Sequence, residues 1–340
     1  NPSYPPQSTA IVDAVYDLPF TRRPHPRYDG KGPIPAFDMI KDSVNIHRGC
    51  FGGCSFCTIS AHQGKFISSR SKESVLRELK TIAASPDFKG HITDVGGPSA
   101  NMYQMEGIDL SVCAVCKRAS CIYPTVCENL NVDHTPMVEL YREAREIEGI
   151  TKVTIGSGLR YDMLIDKNNK PRHKSALTYI RELVTHHVSG RLKVAPEHVS
   201  DKILKLIRKP SFDYFLHFRE RFNAVNKELG RKQQLIPYFI SSLPASDLSD
   251  MAEVSVQLRD LDMRLEQVQD FTPTPLTLGS VVYYTGVDPY SRKELYIART
   301  PAQKKLQQLF FFLYRADKRA ELKKELGKLK RFDVLRRLGL

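Results

Sequence analysis

Apolar positions along this chain switch between two periods in a repeating order. Ser43-Val44-Asn45-Ile46-His47-Arg48-Gly49 alternates polar and apolar residues, as a half-buried strand does. Ser71 can then cap a helix whose apolar face is Val75, Leu76, Leu79, Ile82 and Ala83, spaced by three and four. Residues 91–97 predict the next strand. A helix over about 135–148 leads into a strand at 152–158, and a helix near 174–188 into Arg191-Leu192-Lys193-Val194-Ala195. Two helices over 201–229 precede a strand at 234–240, and a helix near 248–264 precedes one at 267–271. Six strands result, each but the last followed by helix. This alternation calls for right-handed crossovers and a parallel sheet, so the class is α/β.

Composition narrows the picture without redirecting it. With 340 residues, 41% hydrophobic and 26% charged, the chain can bury a large core as an ordinary globular protein. No apolar run approaches the roughly 18 residues of a membrane span, and no signal peptide opens the chain. Residue 1 is Asn rather than Met, which leads us to expect an upstream part of a longer protein. Residues 1–40 carry 8 of the 21 prolines and read as an irregular arm whose aromatics and Leu18 suggest docking. Residues 41–275 form the main body, with an insertion at 102–133, and 276–340 a basic C-terminal extension. The net charge is +13, and residues 291–340 hold 15 Lys/Arg against 5 Asp/Glu. Such a segment suits phosphate binding, yet Leu306, Leu309, Phe310 and Leu313 at helical spacing favour the wet face of packed helices. Nucleic acid is thus a possible but not a favoured partner.

The seven cysteines form two clusters, which argues for metal ligation in a reducing cytoplasm. Cys50, Cys54 and Cys57 lie in Cys50-Phe51-Gly52-Gly53-Cys54-Ser55-Phe56-Cys57, directly after the first strand. Three thiols are one too few to close a zinc site, and they suit an iron–sulfur cube with one iron open. The glycines let backbone N–H groups face the sulfur atoms. A partial zinc knuckle, or a disulfide with a spare thiol, are the plainer readings. Cys113, Cys116, Cys121 and Cys127 follow within 15 residues and offer four thiolates to a second metal centre. That centre would be structural zinc or an auxiliary iron–sulfur cluster, with Lys117 and Arg118 offsetting charge.

Cys-x3-Cys-x2-Cys with an aromatic before the last cysteine resembles the cluster loop of the radical S-adenosylmethionine superfamily. The resemblance implies an open, partial (β/α)6 TIM-like barrel with a Cys-rich insertion and a C-terminal extension. It makes Cys50, Cys54 and Cys57 the ligands of a [4Fe–4S] cluster whose open iron chelates S-adenosylmethionine, with Phe56 near the adenine. One electron from the cluster then cleaves the sulfonium to methionine and a 5′-deoxyadenosyl radical. An external reductant such as flavodoxin or ferredoxin is also implied. Tyr16-Asp17-Leu18-Pro19-Phe20-Thr21-Arg22-Arg23-Pro24-His25-Pro26, Gly96-Gly97-Pro98-Ser99-Ala100-Asn101-Met102-Tyr103, Lys193-Val194-Ala195-Pro196-Glu197-His198 and Gln269-Asp270-Phe271-Thr272-Pro273-Thr274-Pro275 are similar to the YgiQ family of that superfamily. That family supplies a fold and a radical-initiating step but no substrate.

In parallel barrels the chemistry gathers at the C-terminal ends of the strands, and every further candidate lies there. Gly96 and Gly97 resemble the motif that receives the methionine amino group, with Pro98 where an acidic residue is common. Ser157 can bond ribose or carboxylate oxygens, and Arg160 can pair with a carboxylate. Both also fit a plain turn. Lys193, Glu197 and His198 put ionisable groups at the mouth for cofactor contact, proton transfer or substrate anchoring. His198 can equally cap the helix starting near Ser200. Ser241 and Ser242 can contact the nucleoside. Asp270 precedes a doubly X-Pro loop, and His47 and Arg48 flank the cluster loop, where they can tune its potential. An RNA-modifying enzyme of the same type, or a non-catalytic metal-stabilised RNA-binding module, are the alternatives.

Overall fold

Helices in this protein begin where short polar side chains can take up their free N–H groups. Ser71 Oγ accepts from the Ser74 N–H at 3.1 Å and starts the helix Lys72–Ala83, which buries Val75, Leu79 and Ile82. Asp247 and Asp250 form a reciprocal capping box at the start of Leu248–Asp260. These contacts come from a computed structural model that describes residues 5–340; Asn1–Tyr4, at the tip of the proline-rich arm, lie outside it.

The strands are β1 (Ser43–Asn45), β2 (His47–Arg48), β3 (Ser68–Ser69), β4 (His91–Ile92), β5 (Asp94–Gly96), β6 (Lys152–Val153), β7 (Arg191–Glu197), β8 (Gln234–Ser241) and β9 (Gln269–Asp270). β1 pairs with β5, β4 with β6, β7 with β8 and β8 with β9, all parallel. A single parallel bridge between Leu159, just past the third predicted strand, and Val194 joins that segment to β7. Parallel pairing therefore follows chain order across all six predicted positions. The helices between them include Thr135–Arg145, Lys174–Glu182, Asp201–Leu206 and Phe212–Glu228, as the periodicity predicts. Among the described strands β2 pairs antiparallel with β3, and isolated antiparallel bridges join Gly107 to Leu130, Ile165 to Pro171 and Val287 to Glu294.

The third strand is shorter than the expected 152–158. After Val153 the Gly156 and Ser157 N–H groups turn away from a neighbouring strand and donate to Asp94 Oδ1, at 2.9 and 3.2 Å. A side chain thus supplants the ladder where the chain bends.

One contiguous core joins the buried strand positions Val44, Ile92, Val95, Val153, Leu192, Val194 and Phe239 to the helices around them. On Phe212–Glu228 the fully buried Phe215, Phe218 and Phe222 recur at helical spacing, each worth roughly 1.5–3 kcal/mol of apolar transfer. Leu309, Phe310, Leu322, Leu326 and Val334 from the basic C-terminal segment belong to the same core. A smaller separate cluster holds Phe51, Met102, Met105, Ile122, Leu130 and Met163 beneath the insertion.

The arm is docked. Its helix Thr9–Tyr16 lies by the start of Lys72–Ala83, where Asp13 Oδ1 accepts from the Ser71 N–H at 3.0 Å. Arg22 pairs with Glu78, and the Arg70 guanidinium stacks 3.9 Å above the Tyr16 ring. No helix among the described residues is long and apolar enough to cross a membrane.

Candidate functional site

The loop carrying Cys50, Cys54 and Cys57 leaves β2 through Gly49, whose φ of +87° and closeness to the Phe66 carbonyl leave no room for a side chain. Gly64 O accepts from the Cys50 N–H at 3.2 Å, and Gln63 Oε1 from the Gly49 N–H at 3.0 Å, which closes the loop on itself. Gly52 then lies in a cradle that a methyl group would fill. A Cβ there would stand 3.3 Å from Cys50 Sγ, 3.5 Å from Cys54 Sγ and 2.6 Å from an Arg160 nitrogen. The Gly52 N–H points to Cys50 Sγ at 3.4 Å, as a backbone donor facing sulfur should.

Arg160 approaches from the end of the third strand and reaches Cys54 Sγ at 3.6 Å. Its remaining nitrogens grip Asp162 in a fork, Nε to Oδ1 at 2.9 Å and Nη2 to Oδ2 at 2.7 Å. Burial alone would weaken the charge on either partner; their mutual attraction outweighs it, raising Arg160 well above its usual value and lowering Asp162. Asn101 fixes the Arg160 backbone: its Oδ1 accepts from the Arg160 N–H at 2.9 Å and its Nδ2 donates to the Arg160 carbonyl at 3.0 Å. Burial pushes the Cys50 thiol up to about 11, against the pull of Arg160.

Gly96 and Gly97 come to the same end of the strands. A Cβ on Gly96 would meet Ser157 Oγ at 2.5 Å, and one on Gly97 would meet the His47 ring at 2.6 Å. Ser157 Oγ donates to Asp94 Oδ2, so the serine is already oriented. His47 is 1% exposed, neither of its ring nitrogens has a partner, and burial lowers its pKa to about 4. A buried neutral imidazole with both nitrogens unpaired is costly unless something occupies the space beside it.

Glu197 ends β7 in the left-handed region, at φ +67°, a strained conformation for a residue with a side chain. It pairs with Lys209 at 3.4 Å, and this buried couple acts electrostatically on Cys57. Burial raises the Glu197 carboxyl, with Lys209 and Arg160 pulling it back.

Other expected residues stand elsewhere or have their atoms engaged. His198 is fully buried, with Nδ1 accepting from the Ser200 N–H at 3.0 Å and Nε2 3.3 Å from Ser246 Oγ; burial lowers its pKa to about 3. Its geometry is that of the capping reading. Lys193 is exposed near the start of β7, lining a separate hollow of about 660 Å³ with Arg191 and Arg219. Ser241 is buried against Ser242, whose N–H donates to Gln307 of the C-terminal segment at 3.0 Å. Phe56 is half-buried where the Gly279 N–H donates to the Ser55 carbonyl at 2.6 Å. Sequence reasoning missed Asp94, Asn101, Asp162 and Lys209 as supports of the site. Asn101, buried within a quoted motif, was the one signal available.

The trio suits a cluster. Cys54 and Cys57 line a hollow of about 610 Å³, and the Arg160 guanidinium lies 3.6 Å from Cys54 Sγ. Among the described residues no three Cys, His, Asp or Glu side chains are grouped to hold a single metal ion. A cube needs no such convergence, because each thiolate binds a different iron.

The Radical SAM superfamily profile matches residues 44–229, the Radical SAM N-terminal profile residues 1–43, and a domain of unknown function, DUF3362, residues 266–335. A UPF0313 protein of Bacteroides thetaiotaomicron is 54% identical over 99% of this chain and 54% of its own length. One of Porphyromonas gingivalis is 54% identical over 99% of the chain and 53% of its own length. The chain thus spans about half the length of the curated relatives it matches. Among solved structures, the radical S-adenosylmethionine methyltransferase TsrM from Kitasatospora setae is similar at 13% identity and a TM-score of 0.43, over 71% of this chain and 38% of that one. A likeness so distant says nothing about what this chain binds. Motifs and profile agree over most of the chain, which belongs to the radical S-adenosylmethionine superfamily and, within it, to the YgiQ family.

Proposed function

We propose that Cys50, Cys54 and Cys57 hold a [4Fe–4S] cluster with one iron left to S-adenosylmethionine, and that the chain starts radical chemistry on a substrate held at the C-terminal ends of a partial (β/α)6 barrel. When bound, the pair supplies one-electron cleavage of the sulfonium, giving methionine and a 5′-deoxyadenosyl radical. The observation that carries this reading is the Gly52 cradle, where two cysteine sulfurs and the Arg160 guanidinium meet around a residue that has no side chain.

The chain's own residues then have definite tasks. Arg160 offsets the thiolate charge, and Asp162 and Asn101 hold it in place. The Gly96 carbonyl already accepts from the Ile46 N–H at 2.8 Å, which leaves the Gly97 backbone to receive an ammonium group. Ser157, aimed by Asp94, and the unpaired His47 nitrogens offer hydrogen bonds to the polar half of the cofactor. Glu197 and Lys209 keep a buried ion pair beside Cys57, where substrate anchoring or proton transfer is available.

The test is anaerobic reconstitution with iron and sulfide, followed by dithionite and S-adenosylmethionine. Formation of 5′-deoxyadenosine is expected, and Cys54→Ala should abolish it. Undiminished cleavage by that variant would remove the site assignment.

A further inference from the structure

The insertion at 102–133 contains far more chemistry than a crossover needs. Its regular structure is one short helix, Leu110–Ala114, that turns Leu110 and Val112 to solvent at 59% and 50% exposure. Its private apolar cluster is small, so packing alone gives this long loop little to hold it. Yet Cys113, Cys116, Cys121 and Cys127 all line one small cavity of about 30 Å³, walled by Phe51, Phe66 and Leu130. Backbone bonds order the four: Cys116 N–H to the Cys113 carbonyl at 3.1 Å, and Cys127 N–H to the Cys121 carbonyl at 2.7 Å.

Two donors already face the sulfurs. Lys65 Nζ lies 3.3 Å from Cys116 Sγ and also donates to the carbonyls of Cys116 and Arg118. Asn129 Nδ2 lies 3.4 Å from Cys113 Sγ. Gly107 is pressed against the same sulfur, where a Cβ would collide with it. A cation, an amide donor and an apolar wall are what a buried thiolate-bound centre requires.

We propose that Cys113, Cys116, Cys121 and Cys127 hold a second metal centre, an iron–sulfur cluster in which every iron-binding position is filled by a protein thiolate. The four thiols border one small cavity with Lys65 and Asn129 beside their sulfurs, donors that offset the charge of a four-thiolate cluster. The cavity is about the size of one water's share of the liquid, so loading must spread the loop. The exposed helix Leu110–Ala114 is the wall with least to break. Four protein ligands leave no vacant iron, so this centre binds neither S-adenosylmethionine nor substrate. It sits directly behind the first site: Ser120 Oγ and the Cys121 N–H both donate to the Phe51 carbonyl, at 2.8 and 3.0 Å, between Cys50 and Cys54. Loading it therefore stiffens the loop that carries the first trio.

The inference does not depend on S-adenosylmethionine cleavage, and the experiment separates the two. The protein with Cys50→Ala, Cys54→Ala and Cys57→Ala, purified and reconstituted anaerobically, should still carry iron and acid-labile sulfide in roughly equal amounts. Cys113→Ser/Cys116→Ser in an otherwise unchanged protein should lose that share and keep the remainder. The triple variant holding zinc and no sulfide overturns the cluster assignment. The double variant retaining the full wild-type iron and sulfide overturns the site itself, whatever becomes of cleavage.

Discussion

If Cys50, Cys54 and Cys57 hold the proposed cluster, single residues decide whether it can be loaded. Gly52→Ala places a methyl group 2.6 Å from a guanidinium that Asp162 holds in a fork, so Arg160 cannot step aside cheaply. That variant should fold with normal circular dichroism yet lose most of the iron bound through Cys50 and Cys54, read in a chain whose second set is already removed by Cys113→Ser/Cys116→Ser. Arg160→Met should behave differently. It leaves Asp162 buried and unpaired, a loss of about 3–5 kcal/mol in urea unfolding, while Arg160→Met/Asp162→Leu should recover a large part of it. A double variant as unstable as the single would show that the pair matters for geometry and not for charge burial. The cysteines and glycines of this site were readable in the chain because their spacing is local. Asp94, Asn101 and Lys209 were not, since each meets its partner from a different segment, as Asn101 does with Arg160 at a separation of 59 residues.

At the scale of elements, periodicity placed the main helices between residues 72 and 260 and misjudged strand lengths, while it missed Thr9–Tyr16 in the arm and Ala316–Lys328 near the C-terminus. Helices declare themselves through caps and faces carried by their own residues, as Ser71 and the phenylalanines of Phe212–Glu228 do. A strand's extent depends on its neighbour, and the Gly156 and Ser157 N–H groups lose theirs to the Asp94 carboxylate. The helix pair Thr135–Arg145 and Lys174–Glu182 carries a pH-dependent bond. Burial alone would raise the Glu182 carboxyl, but hydrogen bonds from His187 and Arg142 and the charge of Arg145 hold it down at about 2. The folded pKa lies below the unfolded one, so this group's contribution is complete above the ordinary glutamate value of about 4.3 and is lost as pH falls through about 2. Glu182→Gln should lower stability at neutral pH and flatten its decline across that acid window, measured by thermal melts at a series of pH values.

For the whole molecule, the basic C-terminal segment is built into the core. Leu322 and Leu326 are fully buried, and Gln307 reaches under β8 to the Ser242 N–H and the Ser246 carbonyl. Leu322→Ala or Leu326→Ala should each cost about 2–5 kcal/mol of global stability, as cavities in a shared core do. Loss confined to a separately melting unit would show an appended domain instead. The lysines and arginines of this segment lie on its outer faces, so association with RNA should be weak and fall steeply with salt.

Local spacing was enough to single out the cysteine trio, the motifs that carry the family resemblance and the alternation of strand and helix, because each is written within a few consecutive positions. Only the folded chain decided which buried polar groups surround the trio and that the second set of four thiols packs against Phe51. Such pairings depend on bringing segments tens of residues apart into contact, and no local pattern records that.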